Sequence, residues 1–323
     1  MLRTPLCDLL GIDAPIIQAG MGSDFTSAEL AAAVTNAGAL GSLGTGGRAL
    51  DDVRRQLLLL GDLAHGPYAV NHMVTMLDEA AFTATLEARP RVVVFALADA
   101  GDLVRRAHDA GALAMQQVCT VAQAIEAAEH GADIIIAQGG ESGGFAGTVS
   151  TMTLVPQVVA AVRPVPVVAA GGITDGRGLA AALMLGAVGV NVGTRFLSSS
   201  EAPVSDAWKQ VIVAAASEDA VKVDFWNDIS PLPGASGYGT LPRAVKTPFI
   251  ERWLGRHDEA RDAAEEVLAE FGAAAGAGRI HEYMPHAGQS AGAIHDVKPA
   301  AEIVRAIVAE AEELLLAAAS FVS

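Results

Sequence analysis

The feature that most constrains the fold is a repeated alternation of short apolar runs with alanine-rich segments of helical period over the first two thirds of the chain. Each run is rich in Val, Ile, Leu or Ala and is bounded by Gly, Asp or Pro, a pattern typical of buried strands. The runs are residues 15–18, 39–43, 68–71, 91–97, 112–117, 133–138, 166–171 and 189–194. Eight β-then-α units predict an α/β fold, a closed parallel (β/α)8 or TIM barrel.

The helical segments carry their own boundary signals. Thr26 or Ser27 and Thr120 are the expected N-caps, while Gly38 and Gly131 stand where two of the helices should end. The alternative fold, a doubly wound open sheet, usually has GxGxxG after its first strand, and "QAGMGSDF" does not supply that pattern. The closed barrel is therefore the predicted architecture.

The pattern changes after the eighth strand. Residues 200–286 alternate helical segments with loops rich in Gly and Pro, which predicts a small, mainly helical cap. A last helix, from about 299 to 319, has enough apolar positions to pack on the barrel wall. We therefore expect a barrel formed by residues 1–199 and 287–323, with residues 200–286 as the cap and substrate-binding region.

Charge and cysteine content exclude several function classes. The 37 acidic residues outnumber the 21 basic ones, giving a net charge of −16 without any basic cluster. Binding to nucleic acid or to an anionic membrane is therefore not expected. Two cysteines are too few for a disulfide framework, the N-terminus lacks a signal-peptide core, and no metal-ligand spacing is visible. We expect a cytoplasmic protein without a metal.

Glycine is dense where the strands end, which is where barrel enzymes place their active sites. "AAGGI" follows the seventh strand and "GTRF" ends the eighth. Loops at these two positions recurrently hold a phosphate group, and glycine lets backbone amides approach such an anion closely. Gly171, Gly172, Gly193 and Thr194 are accordingly predicted to bind the phosphate of a ligand.

Several motifs in combination resemble one known family. "PIIQAGMG", "LAAAVTNAGALGSLG", "GADIIIAQGGESGG", "VVAAGGITDGRGLAAALMLGAVGVNVGTRF" and "AGQSAG" are similar to the 2-nitropropane dioxygenase-like flavoproteins. That group includes nitronate monooxygenases and FMN-dependent enoyl-acyl-carrier-protein reductases. The resemblance runs from about residue 3 to residue 320. It implies a TIM barrel that holds FMN, with the phosphate on the two glycine loops.

The resemblance also assigns positions along the flavin. Residues after the first strand should contact the ring through their backbone, and amide side chains at later strand ends should meet its polar atoms, which both donate and accept hydrogen bonds. Together with the phosphate loops, the implied cofactor-binding residues are Ala19, Gly20, Met21, Asn71, Gln117, Gln138, Gly143, Gly144, Gly171, Gly172, Gly193 and Thr194.

The glycine-rich motif departs from the family at one position. Its usual form ends in Gly-Gly-His, whereas this chain has Phe145, which can neither transfer a proton nor donate to an oxyanion. Three interpretations are open: the substrate arrives already ionised, another residue replaces the base, or Phe145 shapes an apolar pocket for a different substrate. His72, beside Asn71, and His286, beside "AGQSAG", are the candidate replacements.

Two other polar residues near the mouth are expected to support the structure and not to take part in the chemistry. Glu141 is expected to orient its own loop through backbone amides, and Cys119 to fill a turn, because no base accompanies it. The segment 224–253 mixes aromatic, glycine and basic residues, so it is a candidate lid. Its Trp226, Tyr238, Arg243 and Lys246 are the residues of interest, the last two as contacts for a CoA or phosphopantetheine phosphate.

The predicted function is that of an FMN-dependent oxidoreductase acting on a small molecule. Oxidation of alkyl nitronates with O2 is the first reading. The alternative is an NAD(P)H-linked reductase of enoyl thioesters on acyl-carrier protein or CoA, or a dehydrogenating enzyme for acyl-CoA. A flavin-binding protein without catalysis is a minor alternative. The oligomeric state is left open, with a homodimer as one option.

Overall fold

A computed structural model describes residues 2–232, 238–318 and 320. The strands of its main sheet are β1 (Ile16–Gln18), β2 (Gly41–Gly44), β3 (Tyr68–Met73), β4 (Val92–Ala96), β5 (Leu113–Val118), β6 (Ile134–Gln138), β8 (Val167–Ala170) and β9 (Gly189–Val192). These eight strands are parallel and pair in the order β1-β9-β8-β6-β5-β4-β3-β2, and a bridge between Ile17 and Leu40 joins β1 to the β2 end. This is the predicted TIM barrel.

All eight predicted runs form barrel strands, with ends that differ by a few residues at most. The expected caps are also present: Ser27 Oγ accepts the Leu30 amide at 3.3 Å, and Thr120 Oγ1 accepts the Gln123 amide at 3.2 Å. Of the two candidates at the second helix, Ser27 is therefore the N-cap. Gly38 (φ +87°) follows the end of that helix in a left-handed conformation.

Helices surround the barrel and close its lower end. α1 (Pro5–Leu10) places Leu6 and Leu10 in the same cluster as Ile17, Leu40 and other inward residues of the strands. The outer layer is α2 (Ala28–Asn36), α3 (Leu50–Leu63), α4 (Glu79–Glu87), α5 (Asp102–Asp109), α6 (Val121–Glu129), α7 (Thr151–Ala161) and α8 (Gly176–Met184). The interior is thus filled with side chains, as in other TIM barrels, which place their active sites above the carboxyl ends of the strands.

The last helix packs on the barrel wall, as predicted. α15 (Ala300–Ala318) contributes Ile303, Val304 and Ile307 to the main core cluster. It approaches α8 so closely that a Cβ atom at Gly176 would lie 2.4 Å from the backbone nitrogen of Ala311. Position 319, at the end of the predicted helix, lies outside the described residues.

The cap contains both helices and strands. The short helix α9 (Thr194–Leu197) ends the barrel segment, and the cap helices are α10 (Asp206–Ala214), α11 (Trp226–Ile229), α12 (Pro248–Trp253), α13 (His257–Asp262) and α14 (Ala264–Gly276). A three-stranded antiparallel sheet, called the cap sheet here, is formed by β10 (Ala220–Lys222), β11 (Leu241–Val245) and β7 (Gly144–Ala146). The expectation of a mainly helical cap missed this sheet, because its strands pair only through long-range contacts.

Short 3-10 turns connect these elements, at Ser23–Phe25, Val74–Met76, Ser217–Asp219, Ile280–Glu282 and Gln289–Ala293. None of the helices in the described part of the chain combines the length and apolarity needed to cross a membrane. Within residues 2–232, 238–318 and 320, no group of three or more His, Cys, Asp or Glu side chains is arranged to hold a metal ion.

Candidate functional site

A ring of polar side chains faces inward at the upper end of the barrel. Successive side chains of a strand point to opposite faces, and the apolar interior contains Leu40, Ala69, Met115, Ile134 and Ile136. Residues in step with these and nearer the carboxyl ends therefore face the same interior. The inward polar ring consists of Ser42, Asn71, Gln117, Gln138 and, by the same alternation on β9, Asn191.

Two members of this ring have buried atoms without a hydrogen-bond partner among the described residues. These are Ser42 Oγ and Asn191 Oδ1. Buried polar atoms are nearly always hydrogen-bonded in proteins, so such atoms at a barrel mouth suit a polar ligand. Neither residue was predicted to be a site residue. Each lies two positions beyond an inward residue, Leu40 or Gly189, so the alternation of the strands already indicated that it faces the interior.

The segment after β1 lies directly against the polar ring. A Cβ atom at Gly20 would lie 2.5 Å from Asn71 Cβ and 2.6 Å from Ser42 Oγ, so only glycine fits there. Ala19 and Met21 lie on the side of Gly193, 3.7 Å from the position of a Cβ at that glycine. The three residues expected along the flavin are therefore next to Asn71 and next to one of the expected phosphate loops.

The glycine-rich loops meet one another above β6, β8 and β9. Gly171 (φ +99°) and Gly172 (φ +75°) are left-handed, and a Cβ at Gly171 would lie 2.6 Å from Ser142 Oγ. Gly143 packs against Ala287 of the "AGQSAG" segment. The amide of Gly288 in turn donates to Thr194 Oγ1 at 2.9 Å. The structure thus brings together the predicted phosphate loops and the motif that the sequence placed near them.

Glu141 stabilises this loop cluster and is not free for proton transfer. Its carboxylate accepts the Thr151 amide at 2.9 and 3.0 Å and the Thr151 hydroxyl at 2.9 Å. An acidic group at the first turn of a helix also interacts favourably with the helix dipole, here that of α7. Glu141 therefore orients the loop through a backbone amide, as predicted.

Gln138 and Gln117 differ in their surroundings. Gln138 is buried, and its Oε1 accepts a weak hydrogen bond from Cys119 Sγ at 3.5 Å. Burial raises the pKa of Cys119, so the thiol is neutral. Gln117 is half-buried and its side chain faces the barrel mouth. The side chain of its neighbour Gln116 donates through Nε2 to backbone carbonyl groups and to the hydroxyl oxygen of Tyr238, the latter at 3.2 Å.

The expectation that His72 lies at the barrel mouth is wrong. Because Asn71 points inward, His72 points outward, where its ring packs edge-on against Phe82 at 5.3 Å. Nδ1 pairs with Thr45 Oγ1 and Nε2 with Thr85 Oγ1, both at 3.0 Å. Burial lowers the pKa of His72 to about 4. It is a neutral core histidine with both ring nitrogens occupied.

His286 lies nearer the loop cluster. It precedes Ala287, which packs on Gly143, and its ring centroid is 6.0 Å from that of Phe25. Nδ1 is 3.4 Å from the carbonyl oxygen of Arg243, which can only accept, so this contact favours the proton on Nδ1 and leaves Nε2 as the basic nitrogen. Burial lowers the pKa of His286, so the ring is neutral.

Phe145, which stands at the position of the family's histidine, belongs to the cap sheet. It lies in β7 opposite Pro242, and its half-buried side chain packs against the cap cluster that contains Val223, Phe225 and Ala244. Its neighbours in β7, Gly144 and Ala146, belong to the other face of the sheet. The ring is therefore tied to the cap core through the cap sheet.

The four candidate lid residues separate into different places. Trp226 packs in the cap cluster, 4.9 Å from the Phe271 ring, and Lys246 pairs with Glu251 at 3.3 Å. Tyr238 is buried near the mouth, where its hydroxyl accepts a hydrogen bond from Gln116. Arg243 is also buried and donates to a carbonyl group of the glycine-rich loop. Lys246 and Trp226 therefore do not join the site, while residues 233–237 of this segment lie outside the described residues.

A family comparison agrees with these features. A family model described as nitronate monooxygenase matches residues 3–84 and 78–310. A Mycobacterium tuberculosis protein named "(3aS,4S,5R,7aS)-5-hydroxy-7a-methyl-1-oxo-octahydro-1H-indene-4-carboxyl-CoA dehydrogenase" is 42% identical over 224 residues, 68% of this chain. The chain spans 62% of that relative's length.

Two further proteins match over most of their length. A Staphylococcus saprophyticus protein named "Probable nitronate monooxygenase" is 31% identical over 309 residues, covering 81% of this chain and 83% of that protein. Among solved structures, FabK from Thermotoga maritima superposes with a TM-score of 0.89 at 33% identity, covering 100% of both chains.

Proposed function

Since the chain belongs to the nitronate monooxygenase family, we propose that it is an FMN-dependent oxidoreductase that oxidises alkyl nitronates with O2. The observation that carries the proposal is the inward polar ring beside two glycine loops, at the end of the barrel where such folds place their chemistry. In this proposal residues 1–199 and 287–323 form the flavin-binding barrel, and residues 200–286 cover the substrate.

The residues at the mouth fit FMN. Left-handed glycines offer backbone amides to its phosphate, Ser42 Oγ and Asn191 Oδ1 have no hydrogen-bond partner among the described residues and suit its polar ring atoms, and amide side chains surround the same opening. Bound FMN would supply an electron acceptor that passes its electrons to O2. The proposed contacts are Ala19, Gly20, Met21, Ser42, Asn71, Gln117, Gln138, Gly143, Gly144, Gly171, Gly172, Asn191, Gly193 and Thr194.

The protein's own groups favour a substrate that has already lost its proton. Phe145 has no acid-base chemistry, and His72 is enclosed between two threonines. His286 is the histidine we retain as a candidate base, acting through Nε2. A nitronate needs no base, so the chain's work is then to bind the anion, orient it and exclude water.

The second candidate is dehydrogenation of an acyl-CoA. The observation that favours it is the 42% identity with a relative whose name describes a carboxyl-CoA dehydrogenase. Use of NAD(P)H by this chain, the third possibility, is supported by the resemblance of its motifs to enoyl reductases and by no contact in the structure.

The test is an anaerobic absorbance titration of the FMN-loaded protein with ethyl nitronate, neutral nitroethane, NADPH and an acyl-CoA in separate cuvettes. The proposal predicts bleaching of the flavin by ethyl nitronate and slow or no bleaching by nitroethane. Bleaching by NADPH or acyl-CoA without response to nitronate would contradict it and support the second or third candidate. Equal rates with nitronate and nitroethane would assign a base, and His286→Gln would identify it.

A further inference from the structure

The cap sheet has a charged side that faces the barrel. Lys222 in β10 is the direct partner of Arg243 in β11, so the two side chains lie on the same face. Phe145 and Val221 lie on the opposite face and pack on the cap cluster. Val245, in step with Arg243, belongs to the main core cluster of the barrel, which identifies this face as the one toward the barrel.

Both cations are held by backbone carbonyl groups. Lys222 Nζ donates to Ala146 O at 2.6 Å and to Leu241 O at 3.1 Å. Arg243 donates through Nη2 to Gly140 O at 2.8 Å and through Nη1 to Ala220 O. The two side chains therefore contact both ends of the glycine-rich loop that follows β6.

Neither cation forms an ion pair with a carboxylate among the described residues. Glu141 is the acidic group that interacts electrostatically with Arg243, but its oxygens accept bonds from Thr151. Arg243 is 8% exposed, and its Nε has no acceptor. In a chain with 37 acidic residues, a buried arginine beside a half-buried lysine, both without a carboxylate partner, is unusual, because a buried charge is costly unless it is paired.

The pair borders the inward polar ring. Ala146, which accepts the bond from Lys222, is followed by Gly147, where a Cβ would lie 2.7 Å from Cys119 Cβ. Cys119 in turn donates to Gln138. On the other side, Gly140 is two residues beyond Gln138. The unsatisfied donors are therefore next to the strand end at which the flavin is proposed to bind.

We propose that Lys222 and Arg243 form an anion site that binds the oxygen atoms of a planar oxyanion, the nitronate group of the substrate. The inference rests on the proposed function for the identity of the anion and on the geometry for the site itself. Among the described residues, one hydrogen of the Lys222 ammonium and the hydrogen of the buried Arg243 Nε have no acceptor, and these are the donors that the anion would use. The site binds an anion that is already formed, which explains why Phe145 is tolerated at the family's histidine position.

The site should depend on pH. Lys222 faces Arg243 on the cap sheet and Cys119 on the barrel, and burial followed by repulsion from Arg243 lowers the pKa of Lys222 to about 8. The ammonium is present below that pH and is lost as the pH rises through it. Anion affinity should therefore decrease between about pH 7 and pH 9, and a Lys222→Arg variant should remove this decrease because arginine stays charged.

The experiment measures nitrate binding to the FMN-loaded protein by isothermal titration calorimetry. Nitrate is planar and anionic like a nitronate, but it cannot reduce a flavin. We expect Lys222→Met and Arg243→Met each to weaken nitrate by about 10- to 100-fold, the loss of one charge-assisted contact, and Lys222→Arg to retain most of the affinity. Lys209→Met is the matched control, since Lys209 is also buried and donates to a carbonyl, that of Ser200.

Far-UV circular dichroism and the flavin absorbance spectrum identify variants that fail to fold. If the methionine variants fail, the pH dependence of nitrate affinity in Lys222→Arg tests the inference in their place. Unchanged nitrate affinity in folded Lys222→Met and Arg243→Met proteins would overturn the inference, as would an absence of nitrate binding by the unaltered protein. Nitrate binding that needs both cations, in a protein that does not oxidise nitronates, would support the site and reject the proposed function.

Discussion

The barrel mouth and the cap sheet lie side by side but are built in different ways. The inward polar ring comes from strands whose alternation sets the direction of every side chain. The cap sheet joins β7 to β11, whose paired residues Phe145 and Pro242 are far apart in the chain. The mouth is therefore specified by local pattern and the cap sheet by long-range pairing.

This difference assigns the proposed cofactor contacts and the proposed substrate contacts to separate parts of the fold. The proposed cofactor contacts are fixed by the strands, so they change only if the barrel changes. The proposed substrate contacts, Lys222 and Arg243, stand on a sheet whose faces exchange roles with a single-residue shift in register. A substitution in the cap sheet is therefore expected to change the proposed substrate contacts while leaving the proposed cofactor contacts in place.

The largest effect should follow from breaking the mouth at Gly171. Gly171→Ala forces a side chain at φ +99° and within 3.0 Å of Gly139 O, so the loop must move away from its amide positions. Several amide contacts are lost together, and FMN affinity should fall by at least about 100-fold. Fluorescence titration of the apoprotein with FMN measures this.

Gly111→Ala is the control for that change. Gly111 also has a left-handed backbone (φ +83°), but no atom lies within 4 Å of the added Cβ. It should cost about 1 kcal/mol of stability and leave FMN affinity unchanged. If both variants lose flavin equally, backbone strain alone is responsible and the phosphate loop has no special role.

A smaller effect is expected from Asn191→Leu, which removes the unpartnered Oδ1. Without flavin the variant should be more stable than the unaltered protein, because a buried polar atom without a partner is replaced by an apolar group of similar size. FMN affinity should fall by about 10-fold. Thermal unfolding with and without FMN checks both signs. Lower stability of the apoprotein would mean that this atom is already satisfied.

Phe145→His tests the packing of the cap sheet on the cap cluster. The imidazole replaces an aromatic ring that packs against Val223 and Phe225, so the free energy of unfolding should fall by about 2 kcal/mol. Phe145→Leu, the apolar control, should lose less. Denaturant unfolding gives both values, and turnover of neutral nitroethane should stay at the level of the unaltered protein. A clear gain of nitroethane turnover would show that the ring reaches the substrate.

The smallest effect concerns His72 and depends on pH. Its folded pKa of about 4 is below the value near 6.5 of an unfolded histidine, so the unfolded state binds more protons between these values. Stability should therefore fall as pH decreases from 6.5 toward 4. His72→Gln should reduce this fall between pH 7 and pH 5 by on the order of 1 kcal/mol, measured by denaturant unfolding.

Turnover of His72→Gln separates a core role from a catalytic one. With Thr45 and Thr85 still partnered by the amide, nitronate oxidation should continue at a similar rate at pH 7. Loss of turnover in a folded, FMN-loaded variant would restore His72 as a catalytic residue. His65→Gln, at an exposed position, is the control for a general effect of removing a histidine.

Sequence reasoning predicted the barrel well because its evidence is local. Apolar runs bounded by Gly and Pro marked every strand, and the same alternation that buries Ile134 and Ile136 directs Gln138 to the mouth. His72 follows Asn71 in the sequence but does not share its position at the mouth, because neighbouring residues of a strand face opposite sides. His72 lies on the same face of its strand as Val70, which packs in a cluster outside the barrel, and this alternation predicts the outward direction.

The cap site was beyond reach for a different reason. Lys222 carries no motif, and its importance comes from pairing with Arg243 and from the carbonyl groups of Ala146 and Leu241. Those contacts depend on which segments meet, which a single sequence does not encode locally. Arg243 was singled out for its charge, but its binding to the loop at Gly140 could be seen only in the structure.

In the proposed function, the loops after the last two barrel strands bind the phosphate of FMN. The most direct test is a comparison of dissociation constants for FMN and riboflavin, measured by quenching of flavin fluorescence with the same apoprotein. The two ligands differ only in the phosphate, so the account predicts that FMN binds at least about 100-fold more tightly. Equal affinity for riboflavin and FMN, or no binding of either, would contradict it.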